Sequence, residues 1–225
     1  MELRIALTIT SRTPVSVGAG GSVGALADKS IVRDGWGRPI IPGSQVKGKL
    51  RWAAEQLLRG LGQDVPTPFE GPKREELPTL VRDLFGSPRQ RSPLFFADLP
   101  GVIGDPARLD ALRDSPEQRR SQIRPSVALD RRRRTAADNL LVFQETALET
   151  TSFYSERAIT GRVDSLDHVA LLWVAAGLST RWGGAKSRGL GWAEVTARVW
   201  VDGDERSADQ LRADVRALVA GSGGR

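Results

Sequence analysis

The chain has 225 residues, a formal net charge of +6 and no cysteine, which fits one large domain or a compact pair and excludes disulfides and cysteine-based zinc sites. No apolar run is long enough to span a bilayer, and the amino terminus has charges inside its apolar run. The sequence therefore predicts neither a membrane helix nor a secretory signal. Because cysteine is missing, we expect a reducing compartment, the cytoplasm.

The first part of the chain predicts a strand, a loop and a long helix. Residues 2–12 alternate between apolar and polar side chains, which indicates a half-buried strand. Residues 18–27 are rich in glycine and predict a flexible loop, and residues 30–33 predict a short strand. Ser44 is the expected N-cap of a helix that runs to about Gly60.

The remaining elements alternate between helices and strands. In chain order the sequence predicts a short helix over 80–85, a strand over 94–99, a short helix over 106–113, strands over 140–148 and 158–163, a helix from Leu166 to about Arg181 with Ser165 as its cap, a strand over 192–201, and a helix from the capping box at Ser207–Gln210 to about Ala220. This order favours an α+β, ferredoxin-like fold, with helices on one face of an antiparallel sheet.

Positive charge is concentrated between residues 119 and 134. This segment contains one acid, Asp130, and seven arginines, which are Arg119, Arg120, Arg124, Arg131, Arg132, Arg133 and Arg134. A bias toward arginine codons explains why arginine outnumbers lysine, but not why the arginines cluster. The segment lacks helical periodicity and predicts an extended loop or hairpin. Arginine binds phosphate through paired hydrogen bonds and stacks on bases, which suits RNA.

A glycine-rich loop, residues 183–191, follows the predicted apolar helix. It contains Gly184, Lys186, Ser187 and Arg188, and backbone N–H groups clustered in such a loop bind anions. It is neither a Walker loop nor a dinucleotide fingerprint, because the spacing and the order of elements differ. The alternative interpretation is a helix C-cap at Gly183 followed by a turn.

A second anion-binding pattern lies at residues 41–51. Ser44, Lys47 and Arg51 are spaced to share one stripe of the predicted helix, beside Gly43 and Lys49. A helix amino terminus with nearby cations favours phosphate. Together with the glycine loop, this pattern indicates a protein that binds a polyphosphate, and RNA is the expected partner.

Few residues are available for catalysis. The single histidine, His168, falls on an apolar helix, which favours a structural position over a catalytic one. Asp28 follows the glycine-rich loop and is the candidate catalytic carboxylate, whereas Asp34 has the composition of a turn residue and Asp130 is expected to pair with its arginines. No local cluster has metal-ligand spacing, so Mg²⁺ or another divalent cation would be bound loosely, through one carboxylate and substrate phosphates.

Three motifs resemble those of the RAMP (repeat-associated mysterious protein) superfamily of CRISPR proteins. IPGSQVKGKLR at 41–51 resembles IPGSSLKGxLR, and LFGSP followed by SPLFFADL at 84–99 resembles LFG…L.FSDA. GGAKSRGLGWAEV at 183–195 resembles GGGKSRGLGxVxV. Between them, RPSVALDRRRRTAADNLLVFQETALETTSFY at 124–154 is similar to the corresponding segment of the repeated backbone subunit of type III CRISPR effector complexes.

The resemblance implies a modified RNA-recognition-motif core with an inserted thumb. It implies one RAMP domain over 1–202 with its thumb at about 119–139, followed by a helix and flexible tail over 203–225. Copies of such a subunit stack along a guide RNA, and each thumb distorts the guide–target duplex. The implied partners are the CRISPR guide RNA, complementary target RNA, copies of the same chain and other type III subunits, with no membrane.

The resemblance also implies roles for individual residues. An aspartate before the IPGS helix cleaves target RNA in the backbone subunit, and this position corresponds to Asp28, which acts as a general base or a metal ligand. The implied RNA-binding residues are Gly43, Ser44, Lys47, Lys49, Arg51, Arg124, Arg131, Arg132, Arg133, Arg134, Gly184, Lys186, Ser187 and Arg188.

Three alternatives remain open at the level of sequence. One is a catalytically silent RAMP subunit, either a terminal cap or an inactive backbone copy, that only binds guide RNA. Another is a ribonuclease that processes guide precursors, although such enzymes often use histidine and His168 is the only one. The third is a general basic RNA-binding module that binds as a monomer.

Overall fold

A computed structural model of the chain describes residues 1–19, 27–65 and 79–222, without the side chains of Asn139 and Ser222. Most of the predicted glycine-rich loop, residues 20–26, and the last residues of the predicted tail, 223–225, lie outside the described residues. In chain order the strands are β1 (Glu2–Ser11), β2 (Ile40–Ile41), β3 (Leu94–Phe96), β4 (Leu99–Ile103), β5 (Ser121–Asp130), β6 (Thr135–Ala147), β7 (Thr151–Arg162), β8 (Ala193–Val201) and β9 (Asp204–Arg206). The α-helices are α1 (Gly43–Gly60), α2 (Leu80–Phe85), α3 (Leu166–Leu178) and α4 (Ala208–Ser222).

The main sheet is antiparallel and has β1 near its centre. Among the described residues its strands run in the order β2-β4-β7-β1-β8-β9, and β3 also pairs with β7. Ile5 of β1 lies between Ile159 of β7 and Val199 of β8, and all three side chains are buried. The alternation in residues 2–12 therefore predicted β1 correctly, because one face of this strand packs on the core.

Helices α1 and α3 cover the core. Helix α1 buries a stripe that includes Val46, Leu50 and Leu58, and α3 buries Val169 and Leu172 in the same apolar cluster. Within the described ranges, no helix is long and apolar enough to cross a membrane. The α+β prediction is confirmed, since helices pack on an antiparallel sheet.

Strands β5 and β6 form a separate two-stranded hairpin between β4 and β7 in the chain. The hairpin contains the arginine-rich segment from residue 121 onward, for which the sequence predicted an extended loop or hairpin, and Arg119 and Arg120 lie just before it. Its second strand begins at Thr135, five residues before the strand predicted over 140–148. The hairpin joins the main body near its base, where Ala147 pairs with Val15.

Several predicted boundaries are wrong for local reasons. The segment 94–99 is two strands rather than one, because pairing with β7 is interrupted between Phe96 and Gly101. Residues 30–33 form only isolated bridges, and the helix predicted over 106–113 is a 3₁₀ turn at Pro106–Arg108 followed by further turns. Helix α3 ends at Leu178 instead of Arg181, because the Ser179 hydroxyl donates to the Ala175 carbonyl (2.8 Å) and the chain then turns.

Candidate nucleic-acid interface

The amino terminus of α1 is capped by a residue that is distant in sequence. Pro42 occupies the N-cap position, and the N–H of Gly43 donates to Asp98 Oδ1 at 2.8 Å. Ser44 is an exposed residue inside the first turn and makes no capping bond. The prediction of Ser44 as N-cap is therefore wrong, because the short segment between β3 and β4 brings a carboxylate to this helix end.

Glycine is required at the start of α1. A Cβ atom at Gly43 would lie 2.1 Å from the carbonyl oxygen of Phe96. The IPGS segment and the FFADL segment are thus packed against each other without space for a side chain. A phosphate near this helix would be bound by the side chains along α1, since Asp98 already holds the first N–H.

The cations of α1 have different surroundings. Burial and the charge of Arg51 lower the pKa of Lys47, whose Nζ lies 5.8 Å from the centre of the Phe96 ring. Arg51 donates through Nε to Glu55 (2.9 Å) and through Nη1 to the Gly86 carbonyl (3.1 Å). Of the predicted stripe, Arg51 is held within the protein and Ser44 is exposed to solvent.

The glycine-rich loop is a tightly docked turn that presents two cations. The backbone of Trp182 and Gly191 closes it with a hydrogen bond of 2.8 Å, and the Gly184 N–H donates to the Ser16 carbonyl (2.7 Å). At Gly183 (φ +72°) a Cβ would lie 2.5 Å from that carbonyl oxygen. Helix α3 ends five residues before Gly183, so the C-cap interpretation is wrong and close packing explains the glycine.

The exposed part of this loop is a single 3₁₀ turn. It spans Lys186–Arg188, between Ala185 and Gly189, which both have left-handed backbone conformations. Lys186, Ser187 and Arg188 are all exposed. Arg188 Nη1 also donates to the hydroxyl of Ser126 on β5 at 3.4 Å, so the loop reaches the hairpin.

Lys49 and Lys186 bring the two anion-binding patterns together. The two side chains are close enough for their charges to repel each other. Burial and the charge of Lys186 lower the pKa of Lys49 to about 8. Within the described residues neither ammonium group has a carboxylate partner. Two adjacent cations without an acid form a site that an anion would stabilise.

The tip of the hairpin consists of four exposed arginines, Arg131–Arg134. Asp130 accepts hydrogen bonds at Oδ1 from the N–H groups of Arg132 (2.9 Å) and Arg133 (3.1 Å), and its other oxygen lies 3.8 Å from Arg133 Nε. Asp130 thus pairs with an arginine as expected and also shapes the turn. Arg124 is likewise exposed, in the middle of β5.

Asp28 lies beside the hairpin. Its Oδ2 accepts a hydrogen bond from the N–H of Phe143 on β6 (2.8 Å), and its own N–H donates to the Phe143 carbonyl (3.0 Å). Lys29 continues this contact as a parallel bridge to Gln144. The side chain of Asp28 is exposed, so the backbone fixes its position while the carboxylate faces solvent.

A second carboxylate at the hairpin base has a structural role that local sequence patterns did not reveal. Glu145 accepts hydrogen bonds from Arg33 Nη2 (2.5 Å), the Ser121 hydroxyl (2.6 Å) and the Ile31 N–H (3.0 Å). Burial alone would raise the pKa of Glu145, but these three bonds and the charge of Arg33 outweigh burial and lower it. Glu145 joins both hairpin strands to the segment after Asp28.

Asp34 and His168 occupy structural positions, as their sequence contexts indicated. Asp34 accepts from the N–H groups of Trp36 and Arg38 and pairs with Arg38 Nε at 2.7 Å. His168 is buried on α3, with Nδ1 3.2 Å from the Ser165 hydroxyl. Neither side chain is therefore available for reaction chemistry at the surface described above.

Asp28 would be the main protein ligand of any divalent cation at this surface. Among the described residues, no group of three or more histidine, cysteine, aspartate or glutamate side chains is placed to hold a metal ion. Because Asp28 Oδ2 already accepts the Phe143 N–H, the site fits Mg²⁺ only as an ion that takes its other ligands from RNA phosphates and water.

Comparison with protein-family models decides the family. The RAMP superfamily model matches residues 8–194, a range that includes the α1 motif, the hairpin and the glycine loop. The chain therefore belongs to the RAMP superfamily. A comparison with curated proteins gave no significant match. The matched range ends at the second residue of β8. Membership indicates that this RAMP protein is a CRISPR-associated, RNA-binding subunit.

Exposed tryptophans are the feature of this RAMP protein that the sequence motifs missed. Trp52, Trp192 and Trp36 each have a cation near the ring: Lys49 at 5.2 Å, Arg181 at 3.4 Å and Arg113 at 4.9 Å from the ring centre. Tryptophan beside lysine or arginine in the sequence could have indicated them, since aromatic rings and cations together bind single-stranded nucleic acid.

Proposed function

We propose that the chain is a guide-RNA-binding backbone subunit of a type III CRISPR interference complex. Copies would stack along the CRISPR RNA and cleave complementary target RNA at regular intervals. The observation that carries RNA binding is the meeting of Lys49 and Lys186, because cations from two distant motifs converge without an acidic partner in the described residues. RAMP membership supports the same partner.

We propose further that the core is a ferredoxin-like, modified RNA-recognition motif over 1–202, with β5 and β6 forming the thumb. The order β4-β7-β1-β8, with α1 after β1 and α3 after β7, supports this assignment. A split β-α-β fold would have its strands and helices in this arrangement. The hairpin is inserted between β4 and β7, and its exposed arginines support contact with a polyanion.

Cleavage by this surface requires little chemistry from the protein. The 2′-hydroxyl oxygen of the target attacks the adjacent phosphorus, and the 5′-oxygen of the next nucleotide leaves and takes a proton from water, which gives a cyclic 2′,3′-phosphate and a 5′-hydroxyl. A thumb that distorts the duplex would align these three atoms, and alignment supplies much of the acceleration. Asp28 would accept the 2′-hydroxyl proton as general base or help to bind Mg²⁺, whose charge stabilises the developing oxyanion. The docking of Asp28 on β6 supports this role, because it holds the carboxylate beside the hairpin.

Asp28→Asn tests the catalytic assignment without removing the local structure. Asparagine keeps an oxygen that can accept the Phe143 N–H but loses the charge and the basicity of the carboxylate. We expect reconstituted complexes with Asp28→Asn to load guide and bind target like wild type, and to lose the regularly spaced cuts in labelled complementary RNA. Asp138→Asn, at another hairpin acid, is the matched control and is expected to cut normally.

A catalytically silent RAMP subunit is the second candidate. This candidate is favoured by the hydrogen bond that the Phe143 N–H donates to Asp28. Accepting a backbone N–H is a structural role, and it would account for an aspartate at this position without any part in catalysis. If wild-type complexes bind target without cutting at intervals set by this subunit, or if Asp28→Asn complexes cut normally, the catalytic assignment is wrong. If the protein binds RNA only as a monomer, and copies do not stack on a guide, the result would instead support a general RNA-binding module.

A further inference from the structure

Trp52 lies next to the paired lysines and is the most exposed of the six tryptophans. It follows Lys49 by three residues on α1 and is 56% exposed. The Lys49 Nζ lies 5.2 Å from the centre of its ring. An exposed indole leaves a large apolar face in water, so its position beside two cations needs a reason other than the packing of the core.

The arginines near the other two exposed tryptophans have different surroundings. Arg181, whose guanidinium lies over Trp192, donates from Nη1 to the carbonyls of Lys186 and Leu190 at 3.4 Å each. Trp36 lies near Arg113 (4.9 Å) and Arg38 (5.5 Å), and Arg38 is buried and paired with Asp34. Arg181 and Arg38 are thus held by contacts within the chain, whereas no such contact holds Lys49 among the described residues.

Lys49 is in a different situation. It faces another ammonium group, Lys186, and the pKa of Lys49 is lowered to about 8 as a result of burial and this neighbour. In the described part of the chain no acid compensates the pair. A phosphate between the two ammonium groups would remove the repulsion and draw Lys49 toward it, which leaves the indole face free for a planar group.

We infer that Trp52, Lys49 and Lys186 form one nucleotide-binding site, in which the two ammonium groups hold a phosphate and the indole stacks on a base of the same strand. The inference rests on the proposed RNA-binding function and deepens it. Stacking on an aromatic ring tolerates any base, which suits a protein whose RNA differs from one guide to the next. A flat ring beside the cations favours a nucleotide over an acidic peptide.

Oligomers with and without bases separate stacking from charge. The full-length chain is titrated with a fluorescently labelled twelve-nucleotide oligoadenylate and with an oligomer of equal length whose bases are replaced by stable abasic linkers. Trp52→Ala is expected to weaken oligoadenylate binding by about 5- to 100-fold and abasic binding less than about twofold. Trp52→Phe, which keeps a stacking ring, should recover most of the affinity.

Lysine variants and a second tryptophan complete the experiment. Lys49→Ala and Lys186→Ala should weaken both oligomers, since phosphates are common to both. Trp36→Ala, which removes another exposed indole, is the matched control and should weaken oligoadenylate binding less than Trp52→Ala does. Circular dichroism and thermal melting check that each variant is folded. Equal weakening of both oligomers by Trp52→Ala, or no weakening, overturns the inference.

The result also separates this inference from the proposed function. If wild type binds neither oligomer, RNA binding by the chain itself fails. If binding depends on both lysines but not on Trp52, only the stacking site fails. A Trp52→Ala protein that binds oligoadenylate normally but no longer assembles with other copies would place Trp52 at a protein interface and overturn stacking.

Discussion

The main sheet and the hairpin differ in what surrounds their side chains. Strand β1 buries Leu3, Ile5 and Leu7 between its neighbours and the helices. In the hairpin, by contrast, Leu129 and Leu141 remain more than half exposed. The backbone is paired in both the main sheet and the hairpin, so the two regions differ in tertiary packing. The sheet is stabilised by its own core, whereas the hairpin offers apolar and cationic side chains to a partner.

This comparison predicts the largest stability effect at Gly191, where the two ends of the glycine loop meet. Gly191→Ala would place a Cβ 1.9 Å from the Trp182 carbonyl oxygen at φ +79°. We expect a loss of about 3 kcal/mol or more in the free energy of unfolding, because the close backbone contact must open.

Gly189→Ala is the matched control for that change. Gly189 has a similar φ of +83° but open space around its missing Cβ, so only the left-handed conformation is penalised and about 1 kcal/mol is expected. Urea unfolding of both variants measures the difference. Equal losses would show that the backbone conformation, rather than close packing, is what requires glycine in this loop.

The hairpin should respond in the opposite way to substitution of its tip. Replacing Arg131–Arg134 with serine removes exposed charges from a turn outside the core, so the melting temperature should change little. RNA affinity should fall roughly 10- to 100-fold near 0.1 M salt, and the slope of log affinity against log salt should become shallower by about 0.7 per lost phosphate contact. An unchanged salt slope would contradict RNA contact by the tip.

Trypsin digestion examines the same tip in the unmodified protein. The four arginines are exposed in the free chain, and bound RNA is expected to cover them. We predict that cleavage after Arg131–Arg134 slows at least several-fold when guide RNA is added, whereas cleavage at the exposed Arg212 on α4 stays constant. Equal slowing at both places would indicate general stabilisation instead of local protection.

The sequence predicted the elements that are determined by neighbouring residues in the chain. It missed the features that depend on contacts between residues far apart in sequence. Alternation predicted β1, and the Ser207–Gln210 capping box has both of its reciprocal bonds (2.8 and 3.3 Å). The cap of α1 by Asp98 could not be predicted, because Asp98 and Gly43 are 55 residues apart and meet only in the folded chain. Helix α3 was predicted too long, since its apolar run continues beyond the turn at Ser179.

The same distinction holds for the candidate site. The motifs at 41–51 and 183–191 indicated anion binding separately, but their spacing in sequence gave no sign that Lys49, rather than Arg51, would meet Lys186. Glu145 was missed because its three partners come from two other parts of the chain. The catalytic role of Asp28 and the RNA-binding residues remain predictions to be tested.

The paired lysines predict a pH dependence of RNA binding. The pKa of Lys49 is about 8 in the free protein, and a bound phosphate raises it toward or above the ordinary lysine value. Binding therefore takes up a proton above pH 8, so affinity changes little below pH 7.5, falls about tenfold by pH 9 and about thirtyfold by pH 9.5. Fluorescence titrations of RNA at each pH measure this, and Lys49→Arg should remove the decline.

The smallest expected effect is on the stability of the free protein. A lysine whose pKa is lowered on folding binds fewer protons in the folded state, so its stability rises with pH between about 8 and the unfolded value near 10.4. Lys186→Ala removes the neighbouring charge and should raise stability at pH 7, by less than about 1 kcal/mol because the pair is partly exposed and screened by solvent. Lys186→Arg keeps the charge and should show no gain.

Thermal melts at pH 7 and pH 10 would show the gain of Lys186→Ala shrinking as Lys49 loses its proton, while the same variant binds RNA more weakly. Stability and RNA affinity that changed in the same direction would mean that the pair serves the fold, and the site for RNA phosphate would then have to lie elsewhere on the surface.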